Sequence, residues 1–171
     1  AVAAAAAGIL SGIEPEKIRD ALASFKGVER RFDIRIKSEK CSYIDDYAHH
    51  PKEISAAVSS IRNIFPGRKL TGIFQPHLFT RTRDFAQEFA QSLSALDSLI
   101  LLDIYPAREL PIEGVTSQII FDRVTIEDKK LVEKALLMDE LEQRDIDTLI
   151  TFGAGDIDRF IEPITNHLKK R

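Results

Sequence analysis

The sequence has little cysteine, no long apolar run and no excess of positive charge. Its 171 residues include a single cysteine, Cys41, so no disulfide can form within the chain, which fits a reducing compartment. No apolar run approaches the roughly 18 residues that a membrane-spanning helix needs. Lys and Arg number 24 against 27 Asp and Glu, and the net charge of −3 argues against broad binding to nucleic acid or an anionic membrane. We therefore expect a soluble, intracellular protein with neither nucleic acid nor membrane as a partner.

The opening of the chain differs in composition from the rest. It starts at Ala1 and reads AVAAAAAGIL, which predicts a helix over residues 1–10 that began upstream. Pro15 stands at the first position of a second predicted helix, over residues 15–25. We expect residues 1–30 to be the tail of a preceding domain plus a linker, and residues 31–171 to form a domain of their own.

From residue 32 onward, strand patterns alternate with helix patterns. The predicted strands cover residues 32–37, 42–47, 70–74, 98–103, 130–132 and 147–152. The predicted helices cover residues 51–64, 82–95, 116–121, 136–143 and 156–168. This alternation predicts an α/β fold: a Rossmann-like, doubly wound, mostly parallel sheet with helices on both faces. In such sheets ligands bind beyond the carboxyl ends of the strands.

The first chemical cluster is DDYAHHP at residues 45–51, between a predicted strand and a predicted helix. An Asp at a strand end is a candidate acceptor for ribose hydroxyls. A neutral imidazole beside carboxylates accepts a proton or binds an amine. The alternative is purely structural, with Asp46 and His50 as capping groups and Pro51 as a helix start.

The second cluster follows the third predicted strand and contains His77, Arg81, Thr82 and Arg83. With Thr82 as the helix cap, helix amides and two guanidinium groups form a site for a carboxylate or phosphate. The structural alternative is that Arg83 pairs with Asp84 or Gln87 on a solvated helix face.

The third cluster is FGAGDI at residues 152–157, where glycines allow a tight turn and close approach of the backbone to a ligand. It is neither a dinucleotide fingerprint nor a P-loop, so nothing in the sequence cradles nucleotide phosphates in the usual way. Zinc-ligand spacing and a nucleophile motif are absent from the sequence too.

Four segments together resemble the C-terminal domain of the Mur ligases: residues 29–33 (ERRFD), 45–51 (DDYAHHP), 74–85 (FQPHLFTRTRDF) and 152–157 (FGAGDI). The resemblance runs from about residue 28 to the end, and residues 104–112 (IYPARELPI) resemble the alanine-adding members in particular. Ala48 departs from the glycine that many members carry. The Ala-rich start resembles the closing helices of the family's central ATPase domain.

The resemblance implies an ATP- and Mg²⁺-dependent ligase of bacterial peptidoglycan synthesis, located in the cytoplasm. ATP phosphorylates the lactyl carboxylate of UDP-N-acetylmuramate, and the amine of L-alanine attacks the acyl phosphate. The partners of this domain are then its own N-terminal and central domains, of which the central one carries the P-loop and the magnesium ligands. A chain without that domain is expected to be inactive alone, and no metal site is expected within it.

The resemblance also implies roles for residues on the nucleotide side of the site. Arg31, in the linker, approaches the nucleotide and moves with domain closure. Asp45 accepts the ribose hydroxyls of ATP. These are the two positions expected to bind the nucleotide.

On the acceptor side, the resemblance implies a larger set of residues around the alanine and the acyl phosphate. The implied catalytic residues are His49, His50, Arg81 and Arg83. Arg81 and Arg83 hold the alanine carboxylate or the developing phosphate charge. The substrate-binding set adds Tyr47, His77 and the loop residues Ala154, Gly155 and Asp156, which close against the ligand.

Two other hypotheses stay open at this point. A sister ligase that reattaches a recycled murein tripeptide to the same sugar nucleotide shares much of the motif set. A stand-alone Rossmann-like binding module without a ligase partner is the third. Tyr47 and the segment 105–114 favour the alanine-adding ligase over the tripeptide ligase.

Overall fold

The predicted sheet is confirmed by a computed structural model, which describes residues 1–170. Across these 170 residues, six strands lie in the order β1-β2-β6-β3-β4-β5. Their bounds are β1 Asp33–Lys37, β2 Ser42–Asp46, β3 Leu70–Phe74, β4 Ser98–Leu102, β5 Lys129–Val132 and β6 Thr148–Phe152. Only the edge pair β1–β2 is antiparallel among the described strands, and the other neighbours run parallel.

Within the described residues, eight α-helices connect or flank these strands, most of them at positions close to those predicted. They are α1 Val2–Leu10, α2 Pro15–Ser24, α3 Pro51–Ile64, α4 Phe79–Asp84, α5 Ala86–Leu93, α6 Gln118–Phe121, α7 Leu137–Glu142 and α8 Ile161–Lys169. Short 3₁₀ segments at Lys134–Leu136 and Asp156–Phe160 lead into α7 and α8. Within residues 1–170, every helix is too short or too polar to cross a bilayer.

Two apolar cores lie on opposite faces of the sheet, as a doubly wound fold requires. Alternate residues of one strand enter different cores: Leu99 and Leu101 face one, and Ile100 and Leu102 face the other. Helices α3, α5 and α6 cover the first face, and α7 and α8 cover the second. The central strands are therefore buried on both sides, and functional groups reach ligands only at the strand ends.

Helix α3 forms where its sequence pattern predicts it. Pro51 supplies the fixed φ of a first helical residue. Four apolar side chains spaced along one face are buried in the first core: Ile54, Ala57, Val58 and Ile61. The Glu53 carboxylate accepts the backbone N–H groups of His49 and His50, at 2.9 and 3.1 Å, and so caps the helix start.

The helix predicted over residues 82–95 is wrong at its start and in its continuity. Helix α4 begins at Phe79, and a break at Phe85 separates it from α5. Thr82 lies buried inside α4, where its hydroxyl donates to the carbonyl of Leu78. The turn before α4 depends on Leu78 in the left-handed region, with φ of 72°.

Helices α1 and α2 contact each other but bury none of their own side chains. Their contact is close at Gly8, where an added Cβ would lie 2.9 Å from Ile18 Cδ1. Large apolar side chains of this region stay exposed: Val2, Ile9, Leu10, Ile13, Phe25 and Val28. The division of the chain at residue 30 remains a prediction.

Candidate active site

The register of the parallel strands aligns their carboxyl ends in one row. Asp46 of β2 pairs with Phe152 of β6, Phe152 with Phe74 of β3, and Phe74 with Leu101 of β4. The segments that follow these strands therefore emerge at the same edge of the sheet. All three clusters predicted from the sequence meet there, at the place where doubly wound sheets bind ligands.

Four rings form a continuous row at this edge. The ring of Tyr47 lies edge-to-face against His49, with centroids 5.3 Å apart. His49 in turn lies 6.1 Å from His77, and His77 stacks on Tyr105 at 5.7 Å. The predicted residues Tyr47, His49 and His77 are thus brought together, although 28 positions separate the two histidines in the sequence.

The hydrogen bonds of His49 fix which of its nitrogens is open to a substrate. Nδ1 lies 3.0 Å from the carbonyl oxygen of Tyr47, which can only accept a hydrogen bond. Nδ1 is therefore the protonated nitrogen, and the Glu53 carboxylate 3.7 Å away favours a proton at that position. In the neutral ring Nε2 is then unprotonated and able to take a proton.

His77 has the opposite arrangement. Its Nδ1 lies 3.4 Å from Nη1 of Arg81, and a guanidinium only donates. Nδ1 is therefore the acceptor, and the neutral ring carries its proton on Nε2. Burial and, next, the charge of Arg81 lower the pKa of His77, so the neutral form dominates near pH 7. His77 and Arg81 together present donors to an anion.

His50 does not share this arrangement. Its ring lies edge-to-face against Phe85, with centroids 4.9 Å apart, at one end of a groove of about 830 Å³ between α3 and α5. The backbone N–H of His50 is bound by Glu53. The structure thus agrees with the helix-start alternative for His50, and adjacent histidines point to different environments.

Arg83 also lies apart from the row of rings. Its Nε donates to Asp84 Oδ1 at 2.7 Å, and both side chains are half exposed. This is the solvated pair that the sequence offered as the structural alternative. The start of α4 is occupied as well, because the carboxylate of Glu109 accepts the backbone N–H of Thr80 at 2.9 Å and its hydroxyl. Of the residues predicted to form the anion site, Arg81 and His77 lie together, Thr82 is buried inside α4 and Arg83 pairs with Asp84.

Arg30, a linker residue without a predicted role, makes three side-chain contacts at this edge of the sheet. Its Nε lies 3.2 Å from Asp45 Oδ2, its Nη2 donates to the carbonyl of Gly153 at 2.7 Å, and its guanidinium stacks on Tyr47 at 5.2 Å. Thr151 donates to the other Asp45 oxygen at 2.6 Å. The Asp45 side chain is wholly buried, and burial raises its pKa against the opposing effects of Thr151 and Arg30.

Asp45 and Arg31, the two residues predicted to bind the nucleotide, differ in their exposure. Asp45 presents no exposed oxygen, whereas Arg31 is exposed and lines a pocket of about 410 Å³ with Tyr47 and His49. Asp46 holds this region in shape, since its carboxylate accepts the backbone N–H groups of Phe32 and Ala48 at 3.0 and 2.8 Å. Asp46 therefore joins the linker to the turn after β2, and the prediction that it caps the helix is wrong, because the residue at the N-cap of α3 is His50.

Gln75 holds in place the turn over residues 153–156, which contains the predicted loop residues Ala154, Gly155 and Asp156. This side chain is 2% exposed, donates to Asp156 Oδ1 at 2.8 Å and accepts the backbone N–H of Ile157 at 3.0 Å. Lys134 binds the other oxygen of Asp156. Asp156 is therefore an anchor of the loop, while Gly155 and the half-buried Ala154 form its turn.

Arg30, Gln75 and Tyr105 are the residues near the site whose contacts sequence reasoning missed. All three lie within the segments that carried the resemblance, but their residue types alone do not show which contacts they make. Gln75 stands directly after a buried strand, which is the only sequence signal for its position at the ligand-binding edge.

Comparison with known proteins defines the class to which this fold and site belong. A family model described as "Mur ligase, glutamate ligase domain" matches residues 30–155. The chain belongs to this family.

Individual relatives narrow the similarity further. The chain is 53% identical over 164 residues to the UDP-N-acetylmuramate–L-alanine ligase of Cytophaga hutchinsonii, covering 96% of the chain and 35% of that protein. It is 52% identical over 170 residues to the ligase of the same name from Parabacteroides distasonis, covering 99% of the chain and 37% of the relative. The chain thus spans about a third of the length of the curated relatives it matches.

Solved structures share the fold. The UDP-N-acetylmuramate-alanine ligase of Thermotoga maritima superposes with a TM-score of 0.72 at 27% identity, over 95% of this chain and 36% of that one. A murein peptide ligase of Psychrobacter arcticus superposes at 0.66 and 16% identity, over 96% and 35% of the two chains. At that identity the second likeness shows the fold alone.

Proposed function

We propose that this chain is the C-terminal part of a ligase that joins L-alanine to UDP-N-acetylmuramate with ATP, as a step of peptidoglycan synthesis in the bacterial cytoplasm. The names of relatives that are more than 50% identical support this proposal. The observation that carries it is the pairing of His49 and His77 at the carboxyl edge of the sheet, where Nε2 is available in both rings but is unprotonated in His49 and protonated in His77.

The two imidazoles can bind the carboxylate and the amine of one α-amino acid. Arg81 and Nε2–H of His77 bind the carboxylate of the incoming alanine. The amine, on the same carbon, then lies toward His49. This arrangement allows the domain to present the amine to an acyl phosphate on the sugar nucleotide.

The chemical step of this proposal forms the amide from the alanine amine and the acyl phosphate. The amine nitrogen forms a bond to the acyl carbon, and the bond from that carbon to the phosphate oxygen breaks in the tetrahedral intermediate. Nε2 of His49 accepts a proton from the attacking amine nitrogen, and inorganic phosphate leaves. His49 is thereby the general base, and His50 has no part in the step.

The nucleotide binds, in this proposal, on the linker side of the same edge. The exposed Arg31 and the pocket it shares with Tyr47 receive the nucleotide. Asp45 accepts the ribose hydroxyls only in a conformation where Arg30 has left it, because both of its oxygens are occupied here.

Magnesium is not assigned to this chain. Among residues 1–170 no group of three or more His, Cys, Asp or Glu side chains is arranged to hold a metal ion. Mg²⁺ neutralises phosphate charge during phosphoryl transfer, and we assign its ligands to the rest of the ligase. The P-loop is assigned there too, and the isolated chain is therefore expected to be inactive.

The same proposal covers the division of the chain. Helices α1 and α2 carry exposed apolar side chains and bury none of them. We assign residues 1–30 to the closing helices and linker of the preceding ATPase domain, on which these side chains pack. Residues 31–171 form the amino-acid-presenting domain.

The test is phosphate release by the full-length ligase with ATP, magnesium and UDP-N-acetylmuramate, supplied with one of two acceptors. Release with L-alanine supports the proposal. Release only with the L-Ala-D-Glu-diamino-acid tripeptide would assign the protein to cell-wall recycling. Release with neither acceptor would favour a stand-alone binding module.

A further inference from the structure

We propose that Tyr105 is a positioning residue that holds the His77 ring in the orientation needed to bind the acceptor carboxylate. This inference rests on the proposed function for the identity of the acceptor, but the contacts that carry it do not. The Tyr105 and His77 rings stack at 5.7 Å with 23° between their planes, within the range of attractive aromatic pairs.

Backbone hydrogen bonds hold the two residues side by side. The N–H of Leu78 donates to the carbonyl of Tyr105 at 2.9 Å, and the N–H of Tyr105 donates to the carbonyl of Pro76 at 2.8 Å. His77 and Tyr105 form a parallel bridge beyond the ends of β3 and β4. The bridge therefore extends the pairing of β3 and β4 by one residue pair, and backbone hydrogen bonds hold Tyr105 in position although it lies in a loop.

Gly155 makes room for the Tyr105 ring from the other side. A Cβ at position 155 would lie 2.7 Å from both Cβ and Cγ of Tyr105, and 2.5 Å from Oε1 of Gln75. The φ of Gly155 is −90°, which any residue adopts, so the close approach alone requires glycine here. The loop over residues 153–156 thus supports Tyr105, and Tyr105 supports His77.

The titratable and charged groups around His77 come from three other segments. Arg81 faces it from α4, His49 from the segment after β2, and Glu109 from the segment after β4. Burial is the largest influence on the pKa of His77, which it lowers. Removing the Tyr105 ring exposes one face of the imidazole to water, and the pKa of His77 is then expected to rise.

Matched variants at one position test this role. Tyr105→Phe keeps the ring, whereas Tyr105→Leu keeps an apolar side chain and removes the stack. The first measurement is the imidazole titration of His77 by NMR in the 171-residue chain, with thermal unfolding as the check on folding. The second is the KM for L-alanine and the kcat of the full-length ligase carrying the same changes.

We expect Tyr105→Leu to raise the pKa of His77 and to raise the KM for L-alanine about tenfold, with a smaller change in kcat. Tyr105→Phe should behave as the parent in both measurements. Gly155→Ala, which displaces Tyr105 without altering it, should shift the His77 titration in the same direction as Tyr105→Leu.

An unchanged His77 titration in the folded Tyr105→Leu variant would overturn the inference, as would an equal effect of Tyr105→Phe. These results differ from a failure of the proposed function. In that case the parent ligase would not use L-alanine, while the NMR titration would still report whether Tyr105 positions His77.

Discussion

The guanidinium of Arg30 binds the wholly buried carboxylate of Asp45, with 3.2 Å between Nε and Oδ2. One partner belongs to the linker and the other to the end of β2, so the contact fixes the linker against the sheet edge. The same guanidinium reaches the carbonyl of Gly153 and the ring of Tyr47. Arg30 therefore joins three of the segments that form the candidate site.

Loss of Arg30 should leave a buried charge without its partner. Arg30→Met is expected to lower the free energy of unfolding by about 2–3 kcal/mol at pH 7, since breaking one side of a buried pair is costly. The measurement is urea denaturation of the 171-residue chain. Arg31→Met, at the exposed neighbour, is the control and should change stability by less than about 0.5 kcal/mol.

The double variant Arg30→Met/Asp45→Asn tests whether the loss of stability comes from the unpaired charge of Asp45. Because Asp45→Asn removes the buried charge that Arg30→Met leaves unpaired, the double variant should be more stable than the sum of the two single losses predicts. If the double variant is as unstable as the sum of the two single variants, the pair does not couple the linker to the sheet.

Arg81 and Arg83 should differ in their effect on catalysis, although the sequence assigns them the same role. Arg81→Ala removes a donor beside His77 and is expected to lower kcat/KM for L-alanine about 100-fold, or about 2.7 kcal/mol. Arg83→Ala removes an exposed pair with Asp84 and should stay within about threefold. Steady-state kinetics of the full-length ligase decide this, and equal losses in both variants would contradict the assignment.

Asp156 should contribute stability that depends on pH. Burial opposes its ionisation, but the hydrogen bonds from Lys134 and Gln75 outweigh burial and lower its pKa. Because the folded pKa lies below the ordinary value of 3.8, the contribution is complete above that value and is lost as pH falls through the folded pKa. Asp156→Asn is expected to destabilise the chain by about 1–2 kcal/mol at pH 7 and progressively less in acid.

Denaturation curves at pH 7 and near pH 3 measure this difference. Asp158→Asn, an exposed change two residues along the same 3₁₀ segment, is the matched control. A penalty for Asp156→Asn that persists unchanged in acid would show that ionisation of Asp156 does not stabilise the loop.

The sequence predicts the sheet and α3 well because their signals are local. Apolar spacing and Pro51 are enough to place α3 at its observed bounds. Helix α4 starts earlier than predicted because its start depends on the left-handed turn at Leu78 and on Glu109, which is 29 positions from Thr80. No local pattern contains a contact of that separation.

In the candidate site, the sequence does not predict which of two adjacent residues of the same type makes the contacts. The segment after β2 predicts imidazoles at the sheet edge, yet His49 joins the row of rings and His50 turns to Phe85. In the linker, Arg30 binds Asp45 while Arg31 is exposed, and residues 30 and 32 have positive φ values of 60° and 49°. Side-chain type predicts imidazole and guanidinium groups at this edge, and backbone geometry decides which of two neighbours makes the contacts there.

The role of His49 is tested by measuring acyl phosphate formation and amide formation separately. In the full-length ligase, hydroxylamine traps the acyl phosphate as a hydroxamate, while the alanine amide is measured in parallel. We predict that His49→Gln lowers amide formation about 100-fold and leaves hydroxamate formation within about threefold, and that the control His50→Gln changes neither by more than that. Unchanged amide formation in His49→Gln, or an equal loss of both products, would contradict the assignment of His49 as the base that receives the proton of the amine.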